Sequence, residues 1–89
     1  MADKTMKLEI VAPDCIFYTG EAAMVELNTT EGEIGVYPEH IPMTMIVAPG
    51  TLTITEPDGV KKAELNSGFL EIQQEKMTIL AEDVKWLEK

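Results

Sequence analysis

Eighty-nine residues make one domain, and a hydrophobic content of 45% is ordinary for a globular chain, which argues against disorder. Sixteen acids stand against seven lysines with no arginine, a formal charge of −9, so nucleic acid and anionic lipid surfaces are disfavoured as partners. No window approaches the roughly 20 apolar residues of a membrane helix, and the alternating charged segment after Met1-Ala2-Asp3-Lys4 leads us to expect no signal peptide and a cytoplasmic chain. The acids are scattered, which suits either a solvated face or a basic protein partner; composition leaves both open. Cys15 has no second cysteine to pair with and no cationic neighbour to activate it, so it reads as a small packing residue.

In chain order, Met6 to Ala12 alternates and stops at Pro13-Asp14, a strand and a turn. After Tyr18-Thr19-Gly20-Glu21, Ala23 to Leu27 reads as a second strand, closed by Asn28. Glu31-Gly32-Glu33 carries turn chemistry and precedes a short strand, Ile34 to Tyr37, that ends at Pro38. Pro42 to Val47 is extended and meets the Pro49-Gly50 turn. Thr51 to Thr55 alternates strictly, with its threonines on one face, and runs into Pro57-Asp58-Gly59, where Asp-Gly tolerates the positive φ of tight hairpins. Lys61 to Asn66 returns, Ser67-Gly68 turns, and Phe69 to Gln73 and Met77 to Ala81 are the last strands. The tail from Glu82 to Lys89 is the one helix candidate, short enough to be irregular instead. Short alternating runs separated by turns predict an all-β fold, a small two-layer sandwich of about eight to ten strands in a single domain spanning residues 1–89.

Chemistry is sparse. Glu31, Glu33, Glu39 and His40 form the densest polar cluster, and a divalent metal or small molecule is the rival reading for them. One histidine and one distant cysteine fall short of a zinc set, and no looped calcium pattern is present. A Ser67–His40 hydrolase pairing lacks a nucleophile elbow, and Gly32 and Gly35 match no phosphate-binding motif. We expect no catalytic residue, cofactor or metal. Met43 and Met45 share one side of a strand and read as core filling or as an adaptable docking surface.

The run Thr29-Thr30-Glu31-Gly32-Glu33-Ile34-Gly35-Val36-Tyr37-Pro38-Glu39-His40-Ile41-Pro42-Met43 resembles the signature of the ε subunits of F-type ATP synthases: an acidic-Gly-acidic turn, apolar-Gly-apolar, a proline and His-x-Pro. Leu8 to Pro13, Phe17 to Glu21, Ala48 to Leu52, Asn66 to Ile72 and Met77 to Glu82 agree with the family in order and spacing, Phe17 to Glu21 matching its aromatic-x-x-Gly turn, so the resemblance covers nearly the whole chain. It implies a non-catalytic central-stalk subunit that couples ion translocation, of protons or sodium, to ATP synthesis. The implied partners are the γ subunit and the membrane c ring, in a complex with α and β subunits on the cytoplasmic face of a bacterial membrane. It implies that Glu31, Gly32, Glu33 and His40 face the polar loops of the c ring, and we assign Ile41, Pro42, Met43 and Met45 to the γ contact. Gly32 and Gly35 would permit tight backbone beside the acids and Pro38 and Pro42 would limit the loop's freedom, so that a stiff acidic turn docks on a basic partner at little entropic cost. The sequence departs from the family twice. Glu39 stands where glycine is common, and the chain stops at Trp86-Leu87-Glu88-Lys89, where a helical hairpin commonly begins. We expect that inhibitory hairpin to be missing, in a natural short form or in a chain cut at the domain boundary.

Overall fold

Short β-branched and aliphatic runs with period two form strands wherever one face can be buried, and this chain makes ten of them in succession. In a computed structural model that describes residues 5–39 and 41–87, they are β1 (Met6–Ala12), β2 (Cys15–Ala22), β3 (Met24–Thr29), β4 (Gly32–Val36), β5 (Met43–Val47), β6 (Gly50–Glu56), β7 (Gly59–Leu65), β8 (Gly68–Ile72), β9 (Lys76–Ala81) and β10 (Val84–Trp86). No helix occurs among the described residues.

The strands pair in the order β2-β1-β9-β8-β5 in one layer and β10-β7-β6-β3-β4 in the other. The layers join where β3 meets β5 through the Thr29–Val47 pair. Every pairing among the described residues is antiparallel except β1 with β9, where Leu8 lies beside Met77 and Ile10 beside Ile79. The core sits between the layers. Leu8, Ile10, Leu70, Ile72, Met77 and Ile79 come from the first layer; Val25, Leu27, Leu52 and Ile54 come from the second, all fully buried. Burial of each such side chain stabilises the fold by about 1.5–3 kcal/mol.

The two-layer all-β fold agrees with the pattern read from the sequence, and three local readings are corrected. Phe17 to Glu21 is part of β2 rather than a turn. The register slips between Ile10 and Val11, so that Ile10 faces Tyr18 and Val11 faces Ile16, leaving Phe17 as the extra residue of a bulge. Val84 to Trp86, inside the helix candidate, pairs along β7 as a strand, which satisfies backbone groups that one isolated helical turn could not. The β6–β7 hairpin turns at Pro57-Asp58 as expected, with Glu56 opposite Gly59, but neither Asp58 nor Gly59 takes a positive φ. Pro57, with its ring-fixed φ, starts that turn instead.

Candidate docking interface

The outer faces of the two layers differ in chemistry. On the first layer, strand register brings one outward residue from each of five strands into line: Ile46 pairs with Phe69, Phe69 with Leu80, Leu80 with Val11, and Val11 with Ile16. Ile46, Phe69, Leu80 and Ile16 are 51%, 56%, 48% and 60% exposed, so about half of each side chain remains to be covered. Beside this row, Val11, Pro13, Phe69 and Leu80 wall a shallow apolar hollow. One step along the strands the same face is polar, with Thr44, Glu71, Thr78, Glu9 and Thr19 in register. There Lys76 Nζ lies 3.5 Å from Glu9. A continuous apolar band bordered by a polar one is what a protein-docking surface looks like on a monomer.

The acidic turn adjoins the end of this row. Thr29, the one buried polar residue described, builds it: its hydroxyl donates to the Gly32 carbonyl at 2.8 Å and accepts from the Glu31 amide at 3.1 Å. The Thr30 amide donates to the Ile46 carbonyl at 3.0 Å, which ties the turn to β5. Gly32, at φ 117°, takes a conformation that other residues rarely adopt. Glu31 and Glu33 are both exposed. Glu33 pairs with Asn28 on the outer side of the second layer, whereas Glu31 lines a groove with Met43, Met45, Ile46 and Phe69.

The other residues singled out from sequence scatter. Ile41, 74% exposed, and Pro42 lie in the loop before β5, and Met43 is 41% exposed. Met45 turns inward and packs on the core. His40 lies outside the described residues. Glu39 has φ 65°, a left-handed conformation that glycine adopts freely and other residues rarely take. Its amide donates to the Gln74 carbonyl at 3.0 Å, fastening the loop to the β8–β9 turn. Glu39 borders a hollow with Lys7, Glu21 and Glu75, separate from the groove beside Glu31, so the acids of the metal reading do not converge. No group of three metal-binding side chains occurs among the described residues. Sequence reasoning did not single out the apolar row. Its only local trace is a large apolar residue at an outward position of each strand, such as Phe69 before Glu71 or Leu80 after Thr78.

At the open edge between the layers, the Tyr18 ring lies across Gly20, where a Cβ would meet the ring at 2.8 Å. The Tyr18 hydroxyl donates to Glu56 of β6. Lys61 Nζ sits 3.3 Å from the same carboxylate. Phe17 and Tyr18 also hold Trp86, with ring centroids at 4.7 and 5.7 Å. Burial, then the Glu56 contact, raises the Tyr18 pKa well above the phenol range, while that hydrogen bond holds Glu56 below the usual carboxylate range. Each partner therefore keeps the protonation state the bond requires, and the pair acts as a brace between layers rather than as reactive chemistry.

These features define a two-layer β-sandwich with an apolar row on one outer face and an acidic turn at the end of that row. Residues 5–87 match the family model described as the ATP synthase, Delta/Epsilon chain, beta-sandwich domain, and the chain belongs to that family. It is 38% identical over 88 residues to an ATP synthase epsilon chain of Caldanaerobacter subterraneus subsp. tengcongensis, covering 98% of this chain and 64% of the relative. An epsilon chain of Corynebacterium efficiens is 42% identical, covering 97% and 69%. The chain thus spans roughly two thirds of the length of these relatives. Among solved structures, a chain of the Euglena gracilis mitochondrial ATP synthase, OSCP/F1/c-ring, shares the fold with a TM-score of 0.88 at 23% identity over 96% of this chain and 55% of that one. A chain of the central stalk and c-ring of the Tetrahymena thermophila mitochondrial ATP synthase does so with a TM-score of 0.79 at 14% identity, covering 96% and 69%. No described helix is long and apolar enough to cross a membrane.

Proposed function

We propose that this chain is a non-catalytic rotor element of an ATP synthase, held between the γ subunit and the c ring so that ion translocation turns γ. The observation that carries this reading is the row Ile16, Val11, Leu80, Phe69 and Ile46, half-exposed on one outer face of a family β-sandwich. In the assembly the γ subunit covers the row, and Ile41 and Pro42 in the loop before β5, with Met43 at its start, extend the contact. The outer part of the acidic turn, Gly32 and Glu33, with His40, faces the polar loops of the c ring and offers them negative charge on a backbone already ordered by Thr29. The assembly is peripheral, on the cytoplasmic face of a bacterial membrane. Torque needs a stiff link, and the closed core with its Tyr18–Glu56 brace supplies one.

The test is titration of the chain with the γ subunit of the same enzyme by calorimetry. Phe69→Ser should weaken binding by about thirtyfold or more, as loss of a central aromatic anchor does, with far-ultraviolet circular dichroism unchanged. Undiminished binding by the folded variant overturns the reading.

A further inference from the structure

The groove at the β5 end of the apolar row joins two kinds of surface. Met43, Met45, Ile46 and Phe69 give it carbon, Thr44 lines it as well, and Thr30 and Glu31 border it. No cation among the described residues pairs with the Glu31 carboxylate; the ion pairs there belong to Glu56 and Glu9. The backbone that carries Glu31 is ordered, because Thr29 fixes the turn and the Thr30 amide is bonded to the Ile46 carbonyl. A largely apolar trough bordered by a carboxylate on an ordered turn, with no cationic partner among the described residues, complements a long cationic side chain, whose methylene stem covers carbon and whose head reaches the acid. A formal charge of −9 favours a basic face on whatever protein docks here.

We infer that this groove receives a lysine or arginine side chain of the same protein that covers the apolar row, with Glu31 as its counter-ion. The inference rests on the docking reading above and divides the acidic turn by function. Glu31 stands at the end of the row and reads the row's partner. Glu33 pairs with Asn28 on the outer face of the other layer, where it cannot reach that groove's occupant and remains available to a different surface. The basic residue fixes register: an apolar band alone tolerates sliding along its length, and one charge seated at its end does not.

The experiment titrates the chain with the γ subunit of the same enzyme at low and at high salt, using Glu31→Gln, Glu33→Gln and Phe69→Ser. Glu31→Gln should weaken binding by about tenfold at low salt, with the deficit shrinking as salt rises, and Glu33→Gln should stay within about twofold. If Phe69→Ser weakens binding while Glu31→Gln binds like the parent, the groove assignment falls and the docking reading stands. Equal losses from Glu31→Gln and Glu33→Gln would mean a diffuse charge effect and also overturn it. If Phe69→Ser has no effect, the docking reading falls, and the groove assignment with it.

Discussion

The outer faces of the two layers are built from strands of similar length and the same alternation, yet they carry different chemistry. On the second layer the register sets Lys62 beside Thr53 and Thr53 beside Glu26, with Thr51 beside Glu64, a polar and charged surface. On the first layer the same device aligns Ile46, Phe69, Leu80, Val11 and Ile16. The inward residues of both layers are alike, so core formation does not explain the contrast. A chain selected only to fold would have made both faces like the second. The difference teaches that the outward positions of a sandwich are the place to look for its partner, and that cross-strand register gathers scattered residues into a site.

The largest effect should come from making the faces alike. Leu80→Lys places a charge in the middle of the row and should weaken γ binding by about a hundredfold, or about 2.7 kcal/mol, while Thr53→Lys on the other face should change it by less than about twofold. Matched titrations of the two variants decide the point; similar losses from both would erase the contrast. A smaller cost is expected beneath the row. A Cβ on Gly68 would meet the Leu80 carbonyl oxygen at 2.0 Å and the Ala81 Cα at 2.9 Å, so β8 and β9 would have to shift. Gly68→Ala should therefore lower stability by about 2 kcal/mol in urea unfolding, and it should disturb docking too, because Phe69 and Leu80 ride on the strands that move. An unshifted midpoint would show that the row's scaffold is softer than its packing implies.

The smallest effect concerns the brace at the open edge of the layers. Tyr18→Phe removes one hydrogen bond to Glu56, which retains Lys61, and should cost about 1 kcal/mol at neutral pH. The pH dependence has two signs. Glu56 is held below its ordinary value, so its contribution is present at neutral pH and lost as acid protonates it. Tyr18 is raised above its ordinary value of 10.0, so its contribution is present at neutral pH and lost as the solution grows more alkaline than that. Urea midpoints across pH should show the parent losing stability at both extremes and Tyr18→Phe losing less at the alkaline end. Identical alkaline slopes would remove Tyr18 from the account.

Much of the fold was legible because alternation is a local property. Thr51 to Thr55 and Met77 to Ala81 each show inside and outside within a few residues, and both are strands. The misreadings fall where local pattern fails. At Phe17-Tyr18 a bulge breaks the alternation, and the glycine of the apparent turn is there to let the Tyr18 ring lie flat. Val84-Lys85-Trp86 is too short to carry a period, and its state is set by β7. The acidic turn was visible because its residues are contiguous. The apolar row was not, since its members come from five separate strands and meet only through pairing.

The parallel partnership of β1 with β9 bears on how the chain folds. Leu8 lies 69 residues before Met77, and Ile10 the same distance before Ile79, yet they are neighbours in the finished sheet. The first strand keeps one side unclaimed until that distant segment arrives. Closure across so long a stretch predicts slow folding, with the unclaimed edge exposed meanwhile.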